Sequence, residues 1–467
     1  MLKKNIIFSL ILFSTLITTS LLCALAPETA PNLSNQSDNT LNAISRPKSS
    51  AAKVTEKWYN DDAPIDIKQV VISADGKYIA ASYVSSRNVT LFHRDSNSSI
   101  WEFEAAANID EIAISWNGSY IVACDDTNVY LLNSTAENPK TTMWNFTYIS
   151  NRDYSVDISL DGRYIAVGIA EDGMGVYLLN NSYSSQNKKE VWHQVYSGPT
   201  PHPNHVTISG DGNYTVIGGN GNPWVDVYNE TKINPKPREW RYDTTAAIQD
   251  VEISHSGDYF IAANNDWEVY LFNTTDYLGI PVWNFTETAG FKGMAISADG
   301  NYSVVAFGKS VYYFNNTFSG VNSQKQPHWV FNTDTTVRDL DISGDGKYVV
   351  VATQSMGTLY LLNDIKITPK TEIWKGYEDD KVNDVSISGF GDYFAAGMNL
   401  PGHDRISLFH HDISIPSIPP GLLPGDDDDD DDEEAIIPFG NYYLLFALLA
   451  MLSLIVIMKR KAIFKEL

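Results

Sequence analysis

The sequence predicts an all-β fold, an eight-bladed β-propeller of four-stranded antiparallel blades closed by the N-terminal strand, followed by one C-terminal transmembrane helix. Three observations predict it. The pattern Ile-Ser-x-x-Gly-x-Tyr occurs eight times, with its glycines at Gly76, Gly118, Gly162, Gly212, Gly257, Gly300, Gly346 and Gly391, 42 to 50 residues apart. Each glycine follows a tryptophan by 17 to 20 positions: Trp58, Trp101, Trp144, Trp192, Trp240, Trp283, Trp329 and Trp374. A period near 45 built from short strands marks propeller blades rather than a helical solenoid. Finally, a lone strand around Trp58 precedes the first signature, and the last three-strand set ends at Phe409 with no tryptophan after it. Trp58 therefore completes the last blade, which removes a free sheet edge.

From the start of the chain, Lys3 and Lys4 precede an apolar run from Ile6 to Leu22, and Ala24-Leu25-Ala26 is a small-x-small site, so residues 1–26 read as a secretory signal. Pro27 hinders cleavage there, which leaves an uncleaved anchor or cleavage after Ala24 as alternatives. Residues 27–55, rich in Ser, Asn, Pro and Thr, read as a flexible linker.

Residues 56–412 are the propeller, and residues 249–285 show one unit. Val251 and Ile253 lie on an inner strand (A), Tyr259 to Ala263 form the next (B), Val269 to Phe272 the third (C), and the segment at Trp283 the outermost (D). Both faces of strand C are apolar, so both must be covered, as they are between stacked blades. The signature glycines fit a tight turn with positive φ. The eight tyrosines and eight tryptophans read as packing, because a role repeated in every blade belongs to the fold.

After the propeller, a Pro-rich segment and an acidic run (Asp426 to Asp432, Glu433, Glu434) form a spacer over 413–434. These nine acids supply over a third of the net charge of -24. Ala435 to Met458 is free of charge and long enough to span a bilayer. The basic tail, 459–467, then places the C-terminus in the cytoplasm and the propeller outside, at the cell surface.

The segments VYLLN and MWNF (129–133 and 143–146) and VYLFN with VWNF (269–273 and 282–285) resemble repeats of quinoprotein alcohol dehydrogenase-like propellers. ISADGKYIA and ISGDGKYVV resemble the hairpin of WD-repeat and YVTN propellers. The resemblance implies fold more than function. Where WD repeats carry Trp-Asp, this chain has Asn133, Asn180, Asn229, Asn273, Asn315 and Asn363, or His93 and His410. Quinone-dependent members use a vicinal cysteine pair, and here the only cysteines are Cys23 and Cys124. The acidic spacer, Ile-Pro-Phe-Gly, apolar helix and basic end resemble archaeal surface-protein sorting anchors, with the Pro-Phe-Gly order changed.

Twelve of fourteen Asn-x-Ser/Thr sequons fall in the propeller. Asn117, Asn213 and Asn301 fall at A–B turns, and Asn97, Asn133, Asn180, Asn229, Asn273 and Asn315 at or after the end of strand C, all on one face of the disc. The opposite face, formed by D–A and B–C loops, holds the candidate ligand residues. Glu111, His205, Asp250, Asp339 and Asp384 stand at the start of strand A around the channel mouth, where a cationic partner or mere solvation explains them. A long loop in blade 4 adds His193, His202 and His205. Trp224 and Trp267, outside the repeat pattern, fall in neighbouring B–C loops, either as a binding patch or as loop packing.

No catalytic motif, metal site or cofactor site is found, and charge and location oppose nucleic acid. The expectation is a non-catalytic, membrane-anchored extracellular module that recognises a protein or glycan. The alternative is a propeller enzyme, quinone-type or sugar-active, working at the channel mouth.

Overall fold

The structure, a computed structural model, describes residues 53–63, 66–137, 139–147, 154–169, 175–181, 190–196, 202–220, 223–229, 238–317, 323–355, 357–364, 369–376, 381–400 and 403–412. The expected signal, most of the linker, the acidic spacer, the membrane helix and the basic tail lie outside these residues. Among the described residues no helix is long and apolar enough to cross a membrane.

Eight antiparallel sheets follow one another along the chain. Blade 1 is typical, with strand A at Ile67–Ile72, B at Tyr78–Tyr83, C at Asn88–His93 and D at Ser96–Glu104. Blade 5 gains a fifth, two-residue strand, Ser323–Gln324, which pairs in parallel with Trp283–Thr286. Closure is as the strand arithmetic requires: Lys53–Ala63 pairs antiparallel with His403–Asp412, and Trp58 stands opposite Leu408. This closing strand takes in residues 53–55, which the sequence reading gives to the linker.

Both repeated aromatics prove to be seam residues. All eight signature glycines have φ between 64° and 79°, a region that disfavours side chains. A Cβ added at Gly118 would lie 2.5 Å from the Tyr78 ring, and one at Gly76 would lie 2.5 Å from Tyr393, which carries the pattern across the closure. Each signature tyrosine thus packs on the glycine of the following blade. The tryptophans do likewise one strand further out: Trp58 lies on Phe92, Trp192 on Tyr228, Trp283 on Phe314 and Trp374 on Phe409, at centroid separations of 5.6, 5.1, 5.0 and 5.8 Å. The spacing of tryptophan, glycine and tyrosine along the chain is therefore the spacing of one seam.

A belt of backbone hydrogen bonds joins the blades near the axis. Ala74 N–H donates to Trp116 O, Trp116 to Leu160, Leu160 to Gly210, Gly210 to His255, Ser256 to Ala298, Ala298 to Gly344, Asp345 to Gly389, and Gly389 back to Ala74. Every neighbouring pair of blades is linked once, so the belt is closed.

Candidate functional site

Strand A is the inner edge of each blade, and its outward-facing amides have no fifth strand to pair with. Unpaired backbone donors there cost free energy unless something accepts from them. The channel side chains supply the acceptors. Gln69 accepts from Ile112 N–H of blade 2, Glu111 from Val156 of blade 3, and Ser155 from Val206 of blade 4, at 2.9, 2.9 and 3.1 Å. Asp339 accepts from Val385 and Asp384 from Val70 across the closure, at 2.8 and 2.6 Å. One layer deeper, Asp157 accepts from Ile208 and Asp341 from Ile387, each at 2.9 Å. Glu111, Asp339 and Asp384, expected at the start of strand A, are strand residues that tie blade to blade.

Crowding of carboxyls in a narrow channel favours their neutral forms. Burial pushes Glu111 up to about 8. It pushes Asp250 and Asp341 to about 7 and Asp157 to about 6. Asp339 and Asp384, next to each other in blades 7 and 8, are both raised by burial, and Asp384 is raised further by the charge of Asp339. Asp250 is 37% exposed, but to the water of a channel walled by eight strands. His205 faces it, with Nδ1 3.7 Å from Asp250 Oδ1, and burial lowers His205 to about 4.

The three histidines do not share one loop. His202 and His205 both belong to strand A of blade 4, His202–Ile208, rather than to a loop. His193 sits on the outer strand Glu190–Val195, stacked on Tyr177 and bonded to Glu190. Among the described residues no three His, Cys, Asp or Glu side chains converge as metal ligands.

The two tryptophans part company. Trp224 is not an exposed loop residue; it opens strand C of blade 4 and is 3% exposed. Its ring is stacked on Tyr196 at 5.0 Å and covered by the Arg241 guanidinium at 4.3 Å. Arg241 in turn holds the fully buried Asp226 through bonds of 2.6 and 2.7 Å. That arrangement pairs a buried charge and needs the indole as its lid. Trp267 is 40% exposed and has φ of 64°. In blade 7 the equivalent turn position holds Gly357, with φ of 48°.

Of the nine sequon asparagines on the A–B and C–D face, Asn97 and Asn117 are exposed, whereas Asn180 is 8% exposed. Burial at Asn180 leaves little room for a glycan. The same face carries Tyr277 and Leu278, 67% and 77% exposed, and Phe390, 64% exposed. Sequence reasoning passed over them, although the unbroken Tyr-Leu-Gly-Ile in a turn and the Phe in place of a turn Asp were legible.

It also passed over the inner channel. Asp157, Glu252 and Asp341 stand one position before the signature Ile, and Trp116 and His255 occupy its first variable position. The alternation of strand A puts Asp157, Glu252 and Asp341 on the same face as the mouth residues, while Trp116 and His255 lie just beyond the ends of their strands. Trp116 crosses the channel floor: its ring meets His255 edge-on at 4.7 Å and lies 2.9 and 2.8 Å from where Cβ atoms would stand at Gly344 and Gly389. Trp116 and His255 thus line the channel at the level of the A–B turns, beyond the mouth residues.

Scans against protein families and against curated proteins give no match. Among solved structures, the crystal structure of the C-terminal WD40 domain of Sif2 is similar to this chain, with a TM-score of 0.59 and 16% identity over 76% of this chain and 98% of that one. The likeness carries the propeller fold.

Proposed function

We propose that this propeller is a non-catalytic recognition or scaffold module for a protein or glycan, displayed outside the cell on a C-terminal membrane anchor. Its partner face is the one bearing the D–A and B–C loops, at blade 5. The observation that carries this reading is Trp267. A bulky residue in the left-handed region costs about 1–2 kcal/mol relative to glycine, and exposing an indole gains nothing for folding. Such a turn is favoured only if the ring is used. Aromatic side chains fixed on rigid turns are effective anchors for partners, since little freedom is lost on binding. The channel carboxyls support the same reading, because most of them are engaged with backbone amides of the next blade. The membrane anchor rests on the uncharged run at 435–458 and the basic tail.

The test is Trp267→Ala in the full chain, compared with Trp224→Ala. Binding to a partner captured from the cell surface should weaken at least tenfold in the first variant, with an unchanged melting temperature. Trp224→Ala should instead lower the melting temperature. Full retention of binding by Trp267→Ala would remove the basis of the proposal.

A further inference from the structure

Below the ring of Glu111, Asp250, Asp339 and Asp384, the channel holds a cavity of about 200 Å³ that nothing in the recognition reading uses. It is larger than the roughly 150 Å³ that suffices to admit benzene into a protein interior. Trp116 and His255 form its floor, and the signature isoleucines give it an apolar collar.

One carboxyl in this cavity departs from the pattern. In blades 3 and 7 the side chain one position before the signature Ile reaches forward to the next blade, through Asp157 to Ile208 N–H and through Asp341 to Ile387 N–H. Blade 5 has Glu252 there, one methylene longer, and its carboxyl makes no hydrogen bond or ion pair among the described residues. It lines both the lower cavity and the wider one above it. Beneath it, the Nδ1 of His255 is shut off from solvent and also lacks a hydrogen-bond partner. Glu252 is only partly buried, so its unpartnered carboxyl is open to a ligand in this cavity.

The character of that ligand follows from the walls. The surrounding acids ring the cavity rather than converge on a point, which does not suit a small metal ion held by several oxygens. An apolar collar, an aromatic floor and one free carboxylate suit an organic cation, whose alkyl part packs against isoleucine and whose charge meets Glu252 and the indole. We propose that the lower channel is a binding cavity for a small alkylammonium group, with Glu252 as its counter-charge and Trp116 as its aromatic floor. Burial keeps His255 neutral, down at about 4, so it does not repel such a cation at neutral pH. Burial and the nearby charge of Asp341 raise Glu252, and an incoming cation favours its charged form.

A free amine and the tip of a lysine side chain present the same group. The experiment therefore titrates the full chain in detergent, at pH 8, with butylammonium chloride, with the peptide Gly-Lys-Gly, and with sodium and calcium chloride at equal ionic strength. Calorimetry and tryptophan fluorescence are the readouts. Saturable 1:1 binding of butylammonium is expected, at least tenfold weaker in Glu252→Gln and within threefold of wild type in Glu111→Gln, whose parent carboxylate is already engaged. Trp116→Leu should abolish the fluorescence change. Binding of butylammonium alone assigns a free amine, and binding of the peptide as well assigns a lysine tip; both uphold the cavity. The proposal falls if butylammonium gives no more response than sodium, if calcium gives the same response, or if the two Glu→Gln variants weaken equally. Trp267→Ala should leave this binding unchanged, so its outcome is separable from that of the partner face.

Discussion

Closure of the ring by Lys53–Ala63 can be tested at one residue. Trp58 is half-buried, lies on Phe92 of blade 1 at 5.6 Å, and donates its Nε1–H to Arg94 O at 2.9 Å. Half of an indole is about 100 Å², which at about 25 cal/mol/Å² contributes about 2.5 kcal/mol. The hydrogen bond adds about 1 kcal/mol. Trp58→Ala should therefore cost about 3–4 kcal/mol. For the 360 residues from Lys53 to Asp412, an unfolding entropy of about 2.1 cal/mol/K per residue converts that to a fall of about 4–5 °C in melting temperature. Trp283, fully buried at an internal seam, should cost more, about 5 kcal/mol, although its Nε1–H has no partner. Guanidinium denaturation followed by tryptophan fluorescence and by circular dichroism measures both. A loss under about 1 kcal/mol for Trp58→Ala would mean that blade 8 holds without its fourth strand and that the closure argument fails.

Two further outcomes follow from the seams and the channel. Gly391→Ala places a methyl at φ of 79°, 2.4 Å from the Tyr348 ring, and should cost about 2–4 kcal/mol. At Gly290 a Cβ meets nothing within 4 Å, so Gly290→Ala should change stability by less than about 1 kcal/mol, both read as denaturation midpoints. For pH, Glu111, Asp250 and Asp341 have folded-state values of about 8, 7 and 7, above their unfolded ones, so the folded chain holds protons that the unfolded chain has released. Stability is then greater below these values and is lost as pH rises through them. The melting temperature should climb as pH falls from 8.5 to about 6.5. Below that, His205 and His255, held at about 4, bind protons only when unfolded and oppose the trend. A melting temperature that falls between pH 8.5 and 6.5 would contradict the placement of the acids.

Much of the fold was legible because the seam is written as a repeat. Glycine, tyrosine and tryptophan recur at fixed offsets since each touches its neighbour blade in the same way, and the lone Trp58 could be assigned by counting. The candidate site was less legible. Glu111, Asp339 and Asp384 were found, but their partners, the amides of Val156, Val385 and Val70, are backbone atoms with no signature in side-chain identity. Trp224 and Trp267 look alike in sequence, each beside a turn. Only the proximity of Arg241 and Tyr196, distant in the chain from the turn itself, decides that one is covered and the other exposed. Trp116 escaped notice because it stands inside a signature whose variable positions invite no scrutiny.

A propeller of this kind separates building from recognition by position rather than by region. Positions filled alike in every blade are accounted for by seams and turns, and a substitution there should act through stability. What remains are positions where one blade departs from siblings that use the same position for a contact or a turn. Trp267 takes a conformation that blade 7 gives to glycine; Glu252 leaves unmade the forward contact that Asp157 and Asp341 make; Phe390 replaces a turn residue that in blade 7, as Asp345, accepts from Ser343 and Lys347. Trp267 and Phe390 leave large apolar side chains exposed. What these departures leave unmade, something outside the ring can supply. These single-blade exceptions, rather than the most acidic or most aromatic stretches of the chain, are therefore where ligands of the propeller are to be sought.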